Sequence, residues 1–381
     1  MNLALTEEQT LFRESTKRFL EAESPLSTVR ALWEGSDGFE RDYWNQAARL
    51  GWTSALVPEA QGGGSVSGRP VQDLVIVAEE MGRMVAPGPF LPVNVVATAI
   101  AREAGTELRS ALLPGLLSGD LVAAWAVAEE GALWSGTAPV IDARVETHGA
   151  DLTVSGTKAY VEAAAQADHF LVTARSANGL TQLMMPRDTS GLEVIPGRSI
   201  DMCRRYGRLH LDGARVPSTA ALGIPGDAGA SLEHQLQVAI ALQCAETVGA
   251  AERAFETTIE YARDRFAFGR PVISFQALKH RVADMFQWLE FSKAISEALA
   301  AEIDAGGDGA ARLASVAKVY VADHCLDIVD ECVQISGGIG VTWEHHVHLY
   351  SRRIVVNRAM FGTPEQHKVR LAALLDSNGR P

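Results

Sequence analysis

The sequence changes texture twice, and those two changes constrain the fold more than any other feature. Residues 1–120 and 229–381 carry apolar side chains at helical spacing, whereas residues 121–228 break into short β-prone runs. In the middle stretch "LVAAWAV", "DLTVSGTKAYV", "HFLVTAR", "TQLMMP" and "GRLHLDGARV" are separated by Gly, Asp, Asn and Pro turns. Short strands spaced by about ten residues predict a small antiparallel barrel or sandwich. The expected class is α+β: an N-terminal helical domain over 1–120, a middle antiparallel β barrel or sandwich over 121–228, and a C-terminal helical bundle over 229–381. A chain of 381 residues also exceeds one ordinary core and suits two or three packed domains.

Local signals sharpen this outline. Thr6 and Gln9 have the spacing of a capping box at the first helix. The Gly-rich break "PEAQGGGSVSG" (58–68) separates two helical runs. Near the end, "RAMFGTPEQHK" (358–368) interrupts a helical pattern with Gly362-Thr363-Pro364 and sets Phe361 at the edge of the turn.

Several function classes are disfavoured. Net charge is −13 with no long basic run, which argues against nucleic acid as a partner. No run of eighteen apolar residues predicts a membrane span, and "MNLALTEEQ" does not resemble a secretory leader. The terminal "SNGRP" is not a peroxisomal tripeptide. Cys203, Cys244, Cys325 and Cys332 form no CxxC pair, so they read as small buried hydrophobes in a reducing, cytoplasmic setting. In "EHHVH", Glu344 and His348 stand four apart, but no second ligand group at a recognised spacing accompanies them, so no metal is expected.

One carboxylate stands out. From 236 to 251 the chain reads "LQVAIALQCAETVGAA", where Glu246 is the sole ionisable side chain besides the Cys244 thiol. A carboxylate on such a helix is costly unless paired or functional. Two readings stay open: a general base working near neutrality, or a structural group that caps a helix or pairs with an arginine.

Longer stretches carry a resemblance. "YARDRFAFGRPVISFQALKHRVADM" (261–285) and "QISGGIGVTWEHHVHLYSRR" (334–353) closely resemble two signatures of the acyl-CoA dehydrogenase family. "GWTSALVPEAQGGGS" (51–65), "SGTKAYV" (155–161) and "LDGARVP" (211–217) resemble further elements of it, in the same order. The resemblance implies a C-terminal four-helix bundle, FAD as cofactor, and assembly as a homo- or heterotetramer built as a dimer of dimers. It implies an acyl-CoA thioester as substrate and an electron-transferring flavoprotein as acceptor. A carboxylate removes the α-proton, the flavin takes the β-hydride, and hydrogen bonds to the thioester oxygen stabilise the developing enolate.

Carried over residue by residue, the resemblance assigns Arg265, Phe268 and Gln276 to a neighbouring subunit's FAD, near the pyrophosphate and adenosine. A planar guanidinium suits pyrophosphate. Gln334, Gly337 and Gly338 match positions where small residues let a dinucleotide approach. Tyr160 and Thr363 fall beside the flavin ring. Departures cluster in that ring half: Ala128 replaces a threonine while Glu129 persists, and Glu162 replaces a small hydroxyl. The "MFGT" turn matches the family's usual "YEGT", so Phe361 stands where the base belongs. The family's second base position, on the first bundle helix, falls on Ala239, with Glu246 two turns further along that face.

Three functions follow as expectations. The first is an FAD-dependent acyl-CoA dehydrogenase with Glu246, or a partner's carboxylate, as base; Glu162 is a weaker candidate. The second is a non-catalytic subunit that completes the FAD site of a heterotetrameric acyl-CoA dehydrogenase, where bulky acyl groups such as steroid side chains are one substrate class. The third is a flavin monooxygenase of the same fold, which needs no base. Arg352 and Arg353 read as solvated arginines or as ligands of CoA phosphates.

Overall fold

In the computed structural model the described residues are 5–35, 37–131, 134–135 and 138–377. Helices α1 (Glu7–Glu23), α2 (Leu26–Leu32), α3 (Arg41–Arg49), α4 (Pro70–Met84), α5 (Phe90–Glu103) and α6 (Thr106–Ser118) come first. The first helix starts on the expected capping box, with the Gln9 N–H donating to Thr6 Oγ1 at 3.2 Å and the Thr6 N–H to Gln9 Oε1 at 3.1 Å. The Gly-rich loop after α3 is pinned by Asp73, a fully buried carboxylate that accepts hydrogen bonds from Gln9, Ser65 and Ser67.

One eight-stranded sheet follows: β1 (Ala123–Ala126), β2 (Arg144–His148), β3 (Asp151–Glu162), β4 (His169–Ser176), β5 (Gly179–Pro186), β6 (Leu192–Pro196), β7 (Tyr206–Pro217) and β8 (Ala221–Gly226). The order is β8-β5-β4-β2-β3-β7-β6. The α+β class is as expected and most strand pairs among the described residues are antiparallel, with two parallel exceptions. Both β1 (Ala123↔His169) and β2 (Arg144↔Arg175) lie parallel to β4, one after the other along the same edge. The sheet stays open rather than closing as a barrel. Along β7 the buried side chains Leu209 and Leu211 alternate with exposed ones, then change phase at Gly213 (φ 62°) so that Ala214 and Val216 point inward.

The C-terminal bundle consists of α7 (Gly229–Asp264), α8 (Gln276–Asp304), α9 (Ala310–Ser336), α10 (Val347–Ala359) and α11 (Pro364–Ser377). A short hairpin, β9 (Phe266–Ala267) and β10 (Arg270–Pro271), joins α7 to α8. The bundle docks on the sheet through a reciprocal buried amide pair, Gln182 on β5 and Gln235 on α7, at 2.7 Å each way.

Helices α4 and α7 cross closely because each offers a glycine to the other's backbone. A Cβ at Gly82 would lie 2.0 Å from the Glu246 carbonyl oxygen, and one at Gly249 would lie 1.9 Å from the Glu79 carbonyl oxygen. Backbone atoms cannot step aside as a flexible side chain can, so the crossing fixes the depth at which Glu246 sits. Gly249→Ala is therefore expected to cost about 1–3 kcal/mol by overpacking, read as a lowered Tm in calorimetry; an unchanged Tm would remove the crossing as a constraint.

Candidate active site

The turn between α10 and α11 is built from three anchors. Buried Lys318 on α9 donates to the carbonyls of Asn357 (2.5 Å) and Met360 (2.7 Å) and also to Gln243 Oε1. His367 Nε2 donates to the Phe361 carbonyl at 2.9 Å while Nδ1 meets Ser315 Oγ at 3.2 Å. Thr363 forms a capping box with Gln366, accepting its N–H at Oγ1 (3.3 Å) and donating to its Oε1 (3.0 Å). Between these anchors Phe361 takes φ 55°, a left-handed conformation uncommon for a bulky residue. Its ring lies 5.4 Å from that of Trp125 on β1. Thr363 therefore has a helix-capping task, and Phe361 is packed against the sheet.

Glu246 lies in a buried ionic node at 3% exposure. Its Oε1 accepts from Arg204 (2.6 Å) and Arg353 (2.7 Å), and Oε2 from Asn357 Nδ2 (2.8 Å). Arg353 is fully buried, paired to Asp201 and donating to the Val85 and Ala86 carbonyls at the end of α4. That placement corrects the expectation of Arg353 as a solvated or phosphate-binding side chain. Arg352 does reach the surface, 5.6 Å over the Trp33 ring. Burial alone would raise the Asp201 carboxyl, but Arg353 and Arg204 outweigh it and bring it down to about 2.

Glu162 is the third carboxylate of the node. Its carboxyl lies inside, 3.3 Å from Arg204 Nε. Burial pushes its pKa up against the pull of Arg204, with Glu246 adding to the rise. A raised carboxyl contributes stability below its unfolded pKa and loses it as pH rises through the folded value. Thermal melts from pH 5 to 8 are expected to show Glu162→Gln gaining on wild type as pH rises. Glu246→Gln, which leaves two guanidiniums short of a counter-charge, is expected to cost about 3–5 kcal/mol at neutral pH. A wild-type Tm in Glu246→Gln would show that the node does not depend on that charge.

Just after β1, Glu129 accepts from the N–H groups of Asp142 (2.7 Å) and Ala143 (3.0 Å) and from buried Lys158 (2.5 Å). Burial lowers the Lys158 pKa to about 8 although Glu129 opposes the shift. This pair and the Ala159 N–H to Ala128 carbonyl bond (2.9 Å) tie the segment after β1 to β3. Tyr160, one residue on, is 54% exposed at φ 54°.

The remaining candidates stand at the other end of the bundle. Arg265 caps the end of α7, Phe268 lies in the β9–β10 turn and Gln276 begins α8, while Gln334 lies in the last turn of α9 with Gly337 and Gly338 just after it. All six are exposed, Phe268 at 96%. An Arg281–Glu331 ion pair at 2.9 Å holds those two ends together. Along α9, Gln334 is sixteen residues from Lys318, or about 24 Å at 1.5 Å per residue. One chain therefore gathers the six residues at one place and the Phe361–Thr363 turn at another.

Residues 6–120 match the acyl-CoA dehydrogenase N-terminal domain and residues 230–375 the acyl-CoA dehydrogenase C-terminal domain. The chain belongs to the acyl-CoA dehydrogenase family. Acyl-CoA dehydrogenase IpdE2 of Mycolicibacterium smegmatis is 28% identical to it, over 97% of this chain and 99% of that protein. A variant of the Tcur3481-Tcur3483 steroid ACAD superposes with a TM-score of 0.87 at 28% identity, covering 98% of each chain. Butyryl-CoA dehydrogenase from Megasphaera elsdenii shares the fold, with a TM-score of 0.88 at 23% identity over 98% of this chain and 100% of that one.

The family uses FAD, and the residues at the far bundle end fit a dinucleotide. Gly337, at φ 67° and ψ −142°, needs to be glycine for its backbone alone. Gly338 does not: a Cβ there would meet nothing within 4 Å in this chain. The open backbone at Gly338, at the same bundle end as exposed Arg265, suits an external phosphate-bearing group. The ring half is plainer, since Ala128 brings no hydroxyl and Glu162 is directed to Arg204 instead of outward.

Sequence reasoning missed Arg204, Asp201, Asn357 and Lys318. A signal existed for α10: Tyr350, Arg353, Ile354 and Asn357 recur at helical spacing and are all buried. Polar residues on an apolar stripe are the same sign that singled out Glu246.

Proposed function

We propose that this chain serves flavin-dependent α,β-dehydrogenation of an acyl-CoA as the subunit without its own base, completing the FAD site of a second, base-bearing chain of the same family. The observation that carries this reading is the setting of its carboxylates. Phe361 fills the turn where the family places the base, and Glu246 is engaged by two arginines and an asparagine. A general base must reach the proton it removes; Glu246 is directed to its own protein. Its role here is to tie α7 to α10.

The exposed residues at the bundle end supply this chain's share of the work. Arg265 can pair with pyrophosphate oxygens as a charge-assisted fork, Gly338 lets a dinucleotide approach the backbone, and Gln334 and Gln276 offer amides at the same end. FAD, when bound there, supplies the hydride acceptor to the partner's site. Tyr160 and Thr363 mark the ring-side position of this chain, where no carboxylate accompanies them. An assembly of dimers of dimers, an electron-transferring flavoprotein as acceptor, and a bulky acyl group such as a steroid side chain belong to this same reading. The likeness to the steroid ACAD supports that substrate class.

Purification of the chain alone and together with a base-bearing family member tests the proposal. The chain alone is expected to give no flavin absorbance that bleaches with an acyl-CoA, and the pair to be yellow and active. Arg265→Ala in the pair should weaken FAD retention about 10- to 100-fold, the range for a lost charged hydrogen bond. A lone chain that is yellow and reduced by acyl-CoA would overturn the proposal and return Glu246 to the position of base.

A further inference from the structure

The "EHHVH" segment holds no metal-type cluster among the described residues, yet its three imidazoles share one environment. Arg30 of α2 reaches across to it. Arg30 Nη1 donates to the Trp343 carbonyl (2.7 Å), and Nη2 lies 3.4 Å from the Glu344 carbonyl, 3.2 Å from that of His345 and 3.3 Å from His346 Nδ1. Its guanidinium sits 5.4 Å over the Trp343 ring, which in turn stacks on His348 at 4.9 Å. A guanidinium only donates, so His346 Nδ1 must carry a lone pair. His345 Nδ1 accepts the Val347 N–H at 3.2 Å, so it too must be unprotonated. His348 Nε2 donates to the Trp343 carbonyl (3.1 Å), and its buried Nδ1 has no hydrogen-bond partner among the described residues. His345 and His346 are therefore set in their neutral form.

We propose that Arg30 and these histidines form a proton-released strap, which ties α2 across the loop that follows Gly337 and Gly338. Protonation of His346 turns its Nδ1 into a donor facing the Arg30 donor and sets two positive charges about 3 Å apart. Protonation of His345 removes the acceptor for the Val347 N–H. Cations dominate the surroundings: Arg30 from α2, Arg352 from α10 and the rings themselves, with Glu344 on the loop as an exposed carboxylate drawn to Arg30. Burial lowers all three imidazole pKa values, and Arg30 adds to the shift at His346 and His348. The released form thus binds more protons than the closed form, and closure weakens as pH falls below about 6.5. The loop freed in this way is the one beside the Gly338 cradle.

The inference does not need flavin, so the chain alone tests it. Amide exchange of residues 26–34 and 337–348 is measured at pH 7.5, 6.5 and 5.5 and corrected for intrinsic rates, with residues 311–325 of α9 as the control. Protection of the two segments is expected to fall together, by up to about tenfold per pH unit for each proton taken up, while the control holds. His346→Gln, which keeps an acceptor for Arg30, should show a smaller fall. Arg30→Met should leave both segments weakly protected at every pH. Unchanged wild-type protection from pH 7.5 to 5.5, an equal fall in His346→Gln, or an equal loss in the control segment overturns the strap.

Discussion

The position of everything near the α10–α11 turn depends on one buried ionic node. Arg353 and Arg204 are shared among Asp201, Glu246 and Glu162, with Asn357 bridging. The partners come from three parts of the chain: α7 and α10 from the bundle, the segment between β6 and β7 from the sheet, and the carbonyls of Val85 and Ala86 from the N-terminal helices. Desolvating five charges carries a large penalty, so such a cluster adds little net stability over an apolar core. Its effect lies in geometry, because Arg353 and Arg204 meet their carboxylate partners in a single arrangement of the three layers. The glycine crossing of α4 and α7 acts in the same direction, since Glu246 lies on the turn of α7 that touches Gly82.

Much of the fold was legible because periodicity is a local property. The change from period 3.6 to short alternating runs marked the sheet, and Thr6 and Gln9 marked the first helix start. Strand order was not legible. Nothing in "LVAAWAV" indicates that β1 lies parallel to β4 rather than beside its neighbour in sequence, because that choice is settled by packing between distant segments. The turn at Gly362 was readable from Gly and Pro. The capping box at Thr363 and Gln366 was also written in the sequence, as a hydroxyl three residues before a glutamine at the start of a helical run.

The site was legible to a different degree. Isolation of Glu246 on an apolar helix signalled that it mattered, yet helix periodicity cannot say what faces it. Its partners, Arg204 and Arg353, are 42 and 107 residues away in the chain. Each stands in an Arg-Arg pair, where one member is buried and its neighbour lies nearer the surface, and nothing local distinguishes the two. Lys318 was invisible for the same reason. A lysine among small apolar residues of α9 reads as a solvated side chain, whereas its ammonium is buried against α7 and the last carbonyls of α10.

The separation of about 24 Å along α9 between the Gly337–Gly338 end and the Lys318-anchored turn has a thermodynamic consequence. A ligand that touches the end of one bundle and the turn of another holds two polypeptides at once. Its retention and the association of those polypeptides are then linked equilibria. Dilution that separates the chains releases the ligand, and an excess of ligand draws the chains together.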